Sequence, residues 1–329
     1  MRTLPLFVLG LAVLAGCDFS PTLDIGTPAF EPALTVNTVL FADSTVRVRV
    51  TRARDPYTTQ PTLQNGRLGF ATVTDARVTL SRDGAPEVLA FESRQCLDGY
   101  DYQTQQEVFV ECGFYVTGTP VVGGATYALR AEAPGLPPAE ATVRVPARVP
   151  ATASMVPGTP IDGQPTNRIT LRFRDPAGPD DLYGVDALLA GTVVGTQVCD
   201  YRGCRDTTYV QAYRTQTSFT TADPILLAGL RGIPGGSNVA TFTDDLFDGQ
   251  ERAFTIEARA YYYAGEVDVR RIVRLLALDR TLVDAYLQAE FSLGQDNPFQ
   301  EPFDLPSNVR GGYGLVGAAA VTEVDLGAP

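Results

Sequence analysis

Thr45-Val46-Arg47-Val48-Arg49-Val50 alternates strictly between polar and apolar side chains. Successive side chains of a β-strand point to opposite faces, so this period of two predicts a strand with a valine face toward a core and an arginine face toward water. The same pattern spreads outward. Residues 33–40, 44–52, 77–81, 87–92, 107–115, 126–133 and 141–146 are short runs rich in Val, Thr, Phe and Tyr, separated by Gly, Pro and Asp clusters. About seven such strands over roughly 110 residues predict an immunoglobulin- or transthyretin-like sandwich. The second half continues the pattern over residues 168–173, 183–194, 207–219, 254–263 and 270–278, and the apolar run 314–321 reads as a buried strand. One helix is expected over residues 280–293, with Asp279 as its N-cap.

The expected fold is therefore all-β, with two β-sandwich domains and one short helix near the C-terminus. The N-terminal sandwich spans 33–146, and a Pro/Gly-rich linker follows at 147–166, carrying Pro150, Pro157, Pro160 and Pro165. The C-terminal β-rich domain covers 167–329.

At the chain start, Arg2 precedes an apolar run from Leu4 to Val13 and then Leu14-Ala15-Gly16-Cys17. This three-part form is that of a secretory signal, and it is too short for a permanent membrane span. Ending at a cysteine, it resembles a bacterial lipobox. Residues 1–16 are then the lipoprotein signal peptide, Cys17 the lipidated mature N-terminus and 17–32 the tether, which places the chain on a bacterial cell envelope, with Asp18 directly after the cysteine leaving the choice of membrane open. The alternative is an ordinary cleaved signal with a chance cysteine.

Absences remove whole chemistries. The chain has no histidine, and all 26 of its basic residues are arginine. Ser-His-Asp and Cys-His nucleophile systems, histidine-ligated metals, Schiff-base lysines and the P-loop lysine are all excluded. A net charge of −12 argues against nucleic acid, whose phosphates call for basic patches. Carboxylate chemistry, unusual hydroxyl nucleophiles and oxygen-ligated calcium survive, so a non-enzyme is expected.

Beyond Cys17, four cysteines remain for an oxidising compartment. Local pairing is expected: Cys96 with Cys112 across the turn-like Asp98-Gly99-Tyr100-Asp101-Tyr102, and Cys199 with Cys204 around Asp200-Tyr201-Arg202-Gly203. The other pairings and a four-cysteine metal site are the alternatives, although neither pair has CxxC spacing.

Two acidic clusters stand out. Asp244, Asp245 and Asp248 precede Gly249 and form the calcium candidate; the bland alternative is an aspartate-capped turn, since the loop lacks the DxDxDG pattern. Asp175, Asp180, Asp181 and Asp186 form the second cluster around Pro176 and Pro179. Among aromatics, Tyr100 and Tyr102 at the tip of the first cysteine hairpin are the candidates for partner contact, and Tyr261-Tyr262-Tyr263 reads as core packing with a surface platform as the alternative.

Several segments carry a resemblance. Asn297-Pro298-Phe299-Gln300-Glu301-Pro302 and Ser307-Asn308-Val309-Arg310-Gly311-Gly312-Tyr313-Gly314-Leu315-Val316-Gly317 resemble the NPFxEP…SNIxxGxGxFG ending of a domain-of-unknown-function family of bacterial cell-surface lipoproteins. Phe242-Thr243-Asp244-Asp245-Leu246-Phe247-Asp248-Gly249 resembles its internal FxDxxFDG segment, and Arg172-Phe173-Arg174-Asp175-Pro176, running to Asp181-Leu182-Tyr183, its xFxDPxGxxNYY stretch. Departures are Asp181-Leu182 for Asn-Tyr and Val316 for Phe, which preserve size or apolarity. Members are often encoded beside TonB-dependent outer-membrane receptors. The resemblance implies a cell-envelope protein of a Gram-negative bacterium, at the outer membrane, with such a receptor as partner; with the lipobox, the strand patterning and the missing catalytic side chains, the expectation is a lipid-anchored, non-catalytic accessory protein. The alternatives are a carboxylate-only glycan hydrolase and a structural or adhesive surface module.

Overall fold

The computed structural model describes residues 30–53, 72–101, 106–160, 163–178, 181–200, 203–233, 237–259, 266–285 and 306–328. The signal segment, Cys17, Asp180, Tyr102, Tyr261–Tyr263 and the Asn297–Pro302 segment lie outside these residues, as do the side chains of Tyr100, Cys199 and Cys204.

The strands are β1 (Leu34–Phe41), β2 (Arg47–Arg52), β3 (Arg77–Arg82), β4 (Ala85–Val88), β5 (Ala90–Asp101), β6 (Gln106–Val116), β7 (Thr126–Glu132), β8 (Ala139–Arg144), β9 (Ala151–Pro157) and β10 (Thr166–Arg174). They continue as β11 (Leu182–Asp200), β12 (Gly203–Thr217), β13 (Phe219–Thr220), β14 (Leu230–Ile233), β15 (Ser237–Thr243), β16 (Glu251–Arg259), β17 (Glu266–Leu278), β18 (Gly312–Tyr313) and β19 (Val316–Asp325). The fold is all-β, as expected. Val46, Val48 and Val50 are buried and Arg47 is exposed, so the alternation that opened the reading holds.

Three sheets form. The largest has eleven strands in the order β14-β15-β11-β17-β19-β1-β2-β6-β5, with β12 on β11 and β18 on β1. Two four-stranded sheets, β4-β3-β7-β8 and β13-β16-β10-β9, complete the layers. One continuous apolar core joins them, from Leu34, Val48 and Leu129 to Ile169, Phe254 and Leu275. In the N-terminal half Tyr115 pins the crossover into β3. Its hydroxyl accepts from Ala76 N at 2.8 Å and donates to Val73 O at 2.9 Å.

The domain boundary drawn from sequence needs correction. Residues 151–157, inside the expected linker, are strand β9, paired with β10 from Ala151↔Phe173 to Pro157↔Asn167. The halves also share one sheet, because β1 runs parallel to β19 from Thr38↔Val316 to Phe41↔Ala319. The glycine-rich ending builds this seam. Gly314 has φ +114°, and a Cβ there would lie 2.1 Å from Val36 O. Gly312 likewise lets its backbone approach Leu34 O, to within 2.4 Å of where a Cβ would sit. Asn308 pairs with the backbone of Val316 in both directions, at 2.7 and 2.9 Å, and Asn37 Oδ1 accepts from Leu315 N at 3.1 Å. The motif residues of the ending are thus strand-welding residues, since glycine alone permits such a left-handed, close-packed path.

Two short helices interrupt the strands. The first, α1 (Pro224–Ala228), was not expected; Asp223 caps it through Ile225 N at 2.9 Å and Leu226 N at 3.4 Å, with Pro224 in the first turn. The second starts at residue 280 as expected and is described over 280–285, the rest of the expected 280–293 lying outside the described residues; Val283 N donates to Asp279 O at 3.3 Å.

Cys96 and Cys112 form a disulfide, closing the β5–β6 hairpin. Cys199 and Cys204 stand directly opposite in the β11–β12 backbone register.

Candidate functional site

The two internal motifs meet at one end of the C-terminal sheets. β10 stops at Arg174, where Arg174 still pairs with Glu251 of β16, and Asp175 N then donates to Gln250 O at 2.9 Å. On the facing sheet, β15 stops at Thr243, opposite Leu182 of β11. Two consecutive turns follow, closed by Phe247 N to Asp244 O at 2.7 Å and Gln250 N to Phe247 O at 2.8 Å. They lead straight into β16, so the stretch 244–250 folds back over the end of β10.

Aromatic packing fixes this end. Phe173, Tyr183, Phe242, Phe247 and Phe254 are all buried, with ring centroids 4.8 Å apart for Phe242–Phe254 and 5.3 Å for Phe173–Tyr183. Separations of this order are favourable for tilted aromatic pairs. Four of the five rings come from the two motifs or the segment joining them.

The carboxylates sit on top of that floor. Asp175 is 2% exposed; its Oδ1 accepts from the Tyr183 hydroxyl at 2.5 Å and its Oδ2 from Gly249 N at 2.7 Å. Gly249 has φ +70°, the left-handed conformation that turns its N–H inward. Asp248 Oδ1 accepts from Gly178 N at 2.9 Å, tying the turn to the loop after β10. Asp244 is 1% exposed, and its Oδ2 is buried with no hydrogen-bond partner among the described residues. One oxygen from each of Asp175, Asp244 and Asp248 lies within 4.8 Å of the others.

Electrostatics follow from burial and like charge. Desolvation, then the Asp175 charge, raises the Asp244 carboxyl above its ordinary range. Asp181 is raised for the same two reasons, with Arg144 opposing. Burial and the bond to Asp175 push the Tyr183 hydroxyl far up, so it stays a donor at any ordinary pH. Every one of these directions disfavours adding negative charge here.

The sequence-derived acidic trio is corrected by one member. Asp245 is exposed and accepts from Thr243 Oγ1 at 2.6 Å, away from the group, and Asp175 takes its place. Asp186, from the second sequence cluster, is also elsewhere. It is fully buried and accepts a two-pronged interaction from Arg274 and a bond from Gln216 Nε2 at 2.8 Å. Asp181 lines a neighbouring cavity of about 430 Å³ with Arg144, Tyr183, Asp279 and Arg280.

Two paired ribbons carry the remaining candidates. Among the described residues β6 meets β2 only at Arg47↔Val116 and Val48↔Tyr115, so from Phe114 outward β5 and β6 pair only with each other. β11 and β12 do the same beyond Val193. Among the described side chains each ribbon exposes one apolar cross-strand pair: Leu97↔Phe109, at 49% and 52%, and Val194↔Val210, at 39% and 70%. Neither pair was singled out from sequence; Tyr100 lies on the first ribbon, its backbone paired with Glu107.

No curated protein matches the chain. The sequence model of a domain of unknown function (DUF4249) matches residues 20–325. Both motif pairs that build the acidic end and the strand-welding ending fall inside that span, and the chain belongs to the DUF4249 family.

Proposed function

We propose that the protein is a non-catalytic binding protein of the Gram-negative outer membrane, anchored by a lipid on Cys17 and partnering a TonB-dependent receptor in nutrient uptake. The observation that carries this reading is the exposed Leu97↔Phe109 pair on a two-stranded ribbon. A two-stranded hairpin is marginal in water on its own, and a partner that covered this apolar pair would take it out of water and stabilise the ribbon. The Cys96–Cys112 disulfide holds that ribbon formed in the absence of a partner. The lipobox-like Leu14-Ala15-Gly16-Cys17 supports the anchor, and the lack of histidine and lysine supports the non-catalytic role.

Mild-detergent pull-down of the native protein from envelope membranes tests this, with Cys17→Ala and Phe109→Glu as controls. Stoichiometric recovery of a TonB-dependent receptor, lost in both variants, is the expected result. Recovery of the protein alone overturns the partnership.

A carboxylate-only glycan hydrolase is the second reading. In its favour, Asp181 and Asp279 line one cavity and burial raises both carboxyls, as a general acid needs. Glycan turnover abolished by Asp181→Asn would favour it over the binding role.

A further inference from the structure

We infer that Asp175, Asp244 and Asp248 form a calcium site that locks the end of β10 to the turns after β15. Three carboxylate oxygens within 4.8 Å of one another match the span across a calcium ion, whose ligands sit at about 2.4 Å. Proximity of acids alone would not carry this. The second observation is Asp244 Oδ2, an acceptor atom of a residue 1% exposed, which has no hydrogen-bond partner among the described residues. A buried carboxylate oxygen left unmatched is costly, and a cation is the partner such an atom lacks.

Arg252, Arg274 and Arg144 each have another acidic partner. Arg252 pairs with Asp223 at 3.2 Å and lies over the Phe254 ring, and Arg274 pairs with Asp186. Arg144 acts on Asp181. The donors of the trio are all oxygen, which selects a hard cation and excludes a thiolate or imidazole metal. Calcium is preferred to magnesium because the three carboxylates come from two loops, Asp175 after β10 and Asp244 and Asp248 from the turns after β15, with Asp248 open to solvent, rather than from an octahedral cage.

The site also has a reason to exist in this fold. Asp175 ends a strand of one sheet and Asp244 follows a strand of the facing sheet, so an ion between them ties both layers at their open end. Hydrogen bonds to Asp175 from Tyr183 and Gly249 orient its carboxylate but leave lone pairs on both oxygens.

The test uses the mature protein stripped with chelator, titrated with calcium and separately with magnesium. Thermal melting reads stability. Terbium luminescence excited through tyrosine reads occupancy directly, since the chain has no tryptophan and Tyr183 bonds to a ligand. The expected result is a rise in melting temperature with calcium, at a Kd of about 10⁻⁴–10⁻³ M as in extracellular modules, and weaker binding of magnesium. Asp248→Asn, at an exposed position that leaves the floor intact, should weaken calcium at least tenfold. Asp244→Asn should abolish the luminescence. If Asp244→Asn does not fold, Asp248→Asn decides alone. No calcium response at about ten times the weakest of these constants overturns the site. So does an unchanged Kd in Asp248→Asn, and magnesium binding as tight as calcium overturns the choice of ion.

Discussion

Gly314→Ala is the sharpest test of the seam that joins β1 to β19. The added Cβ would sit 2.1 Å from Val36 O, 2.8 Å from Val36 C and 2.9 Å from Val36 N. All three are backbone atoms, so no rotamer change relieves the overlap. Holding φ at +114° with a side chain costs about 1–3 kcal/mol. Moving the strands apart breaks Thr38 N to Leu315 O at 2.9 Å and Leu315 N to Asn37 Oδ1 at 3.1 Å, each worth about 1 kcal/mol. The expected loss is therefore about 3–5 kcal/mol, a large part of the 5–15 kcal/mol by which proteins are typically stable. Gly84→Ala is the matched control. Its φ is +80° but nothing lies within 4 Å of the added Cβ, so it carries only the conformational part, about 1 kcal/mol. Urea unfolding followed by circular dichroism gives both losses. If Gly314→Ala costs no more than Gly84→Ala, the close parallel packing of β1 against the chain's ending is wrong.

Other substitutions probe the core and the site. Arg274→Ala should cost about 3–5 kcal/mol in urea unfolding, because it strands the fully buried Asp186, whereas replacing both by Met and Leu should cost much less. Phe254→Ala removes a ring at the centre of the aromatic floor and should cost about 3–5 kcal/mol by the same assay. Reducing Cys96–Cys112 should leave the core intact and abolish hydrogen-exchange protection along residues 107–113 of β6, since among the described residues that stretch pairs with β5 alone. Asp279 is raised above 3.8 chiefly by burial, so its neutral form is the one the fold favours. Its contribution is complete at acid pH and is lost as pH rises through the raised value. Asp279→Asn should therefore gain stability relative to wild type between acid and neutral pH, while Asp279→Ala should lose about 1 kcal/mol of capping.

The strands of the N-terminal half were legible because each alternates and ends at a turn signal, as Val46, Val48 and Val50 illustrate. β9 was not. It is the edge strand of its sheet, half-exposed along its length and flanked by Pro150 and Pro157, so neither burial nor composition marks it. The β1–β19 pairing was equally hidden, since nothing local in Leu34–Phe41 points to a partner nearly three hundred residues away; only the glycines of the ending hint at a close backbone approach. At the acidic end, the residues were visible but their grouping was not. Asp244 and Asp245 are neighbours, and the motif alone does not say which faces inward. The strand period does: Ala240, Phe242 and Asp244 lie on the buried side and Asp245 falls on the other. Asp175 joined them because β10 and β15 end at the same level in facing sheets, a tertiary fact with no trace in spacing.

A photoreactive residue placed at Phe109, with a second at Val210, read in living cells by crosslinking and mass spectrometry, tests the binding role most directly. A single dominant adduct from Phe109 to a TonB-dependent receptor, suppressed by Leu97→Glu on the neighbouring strand, is the expected result. Adducts scattered among abundant envelope proteins, or none from either ribbon, would contradict it.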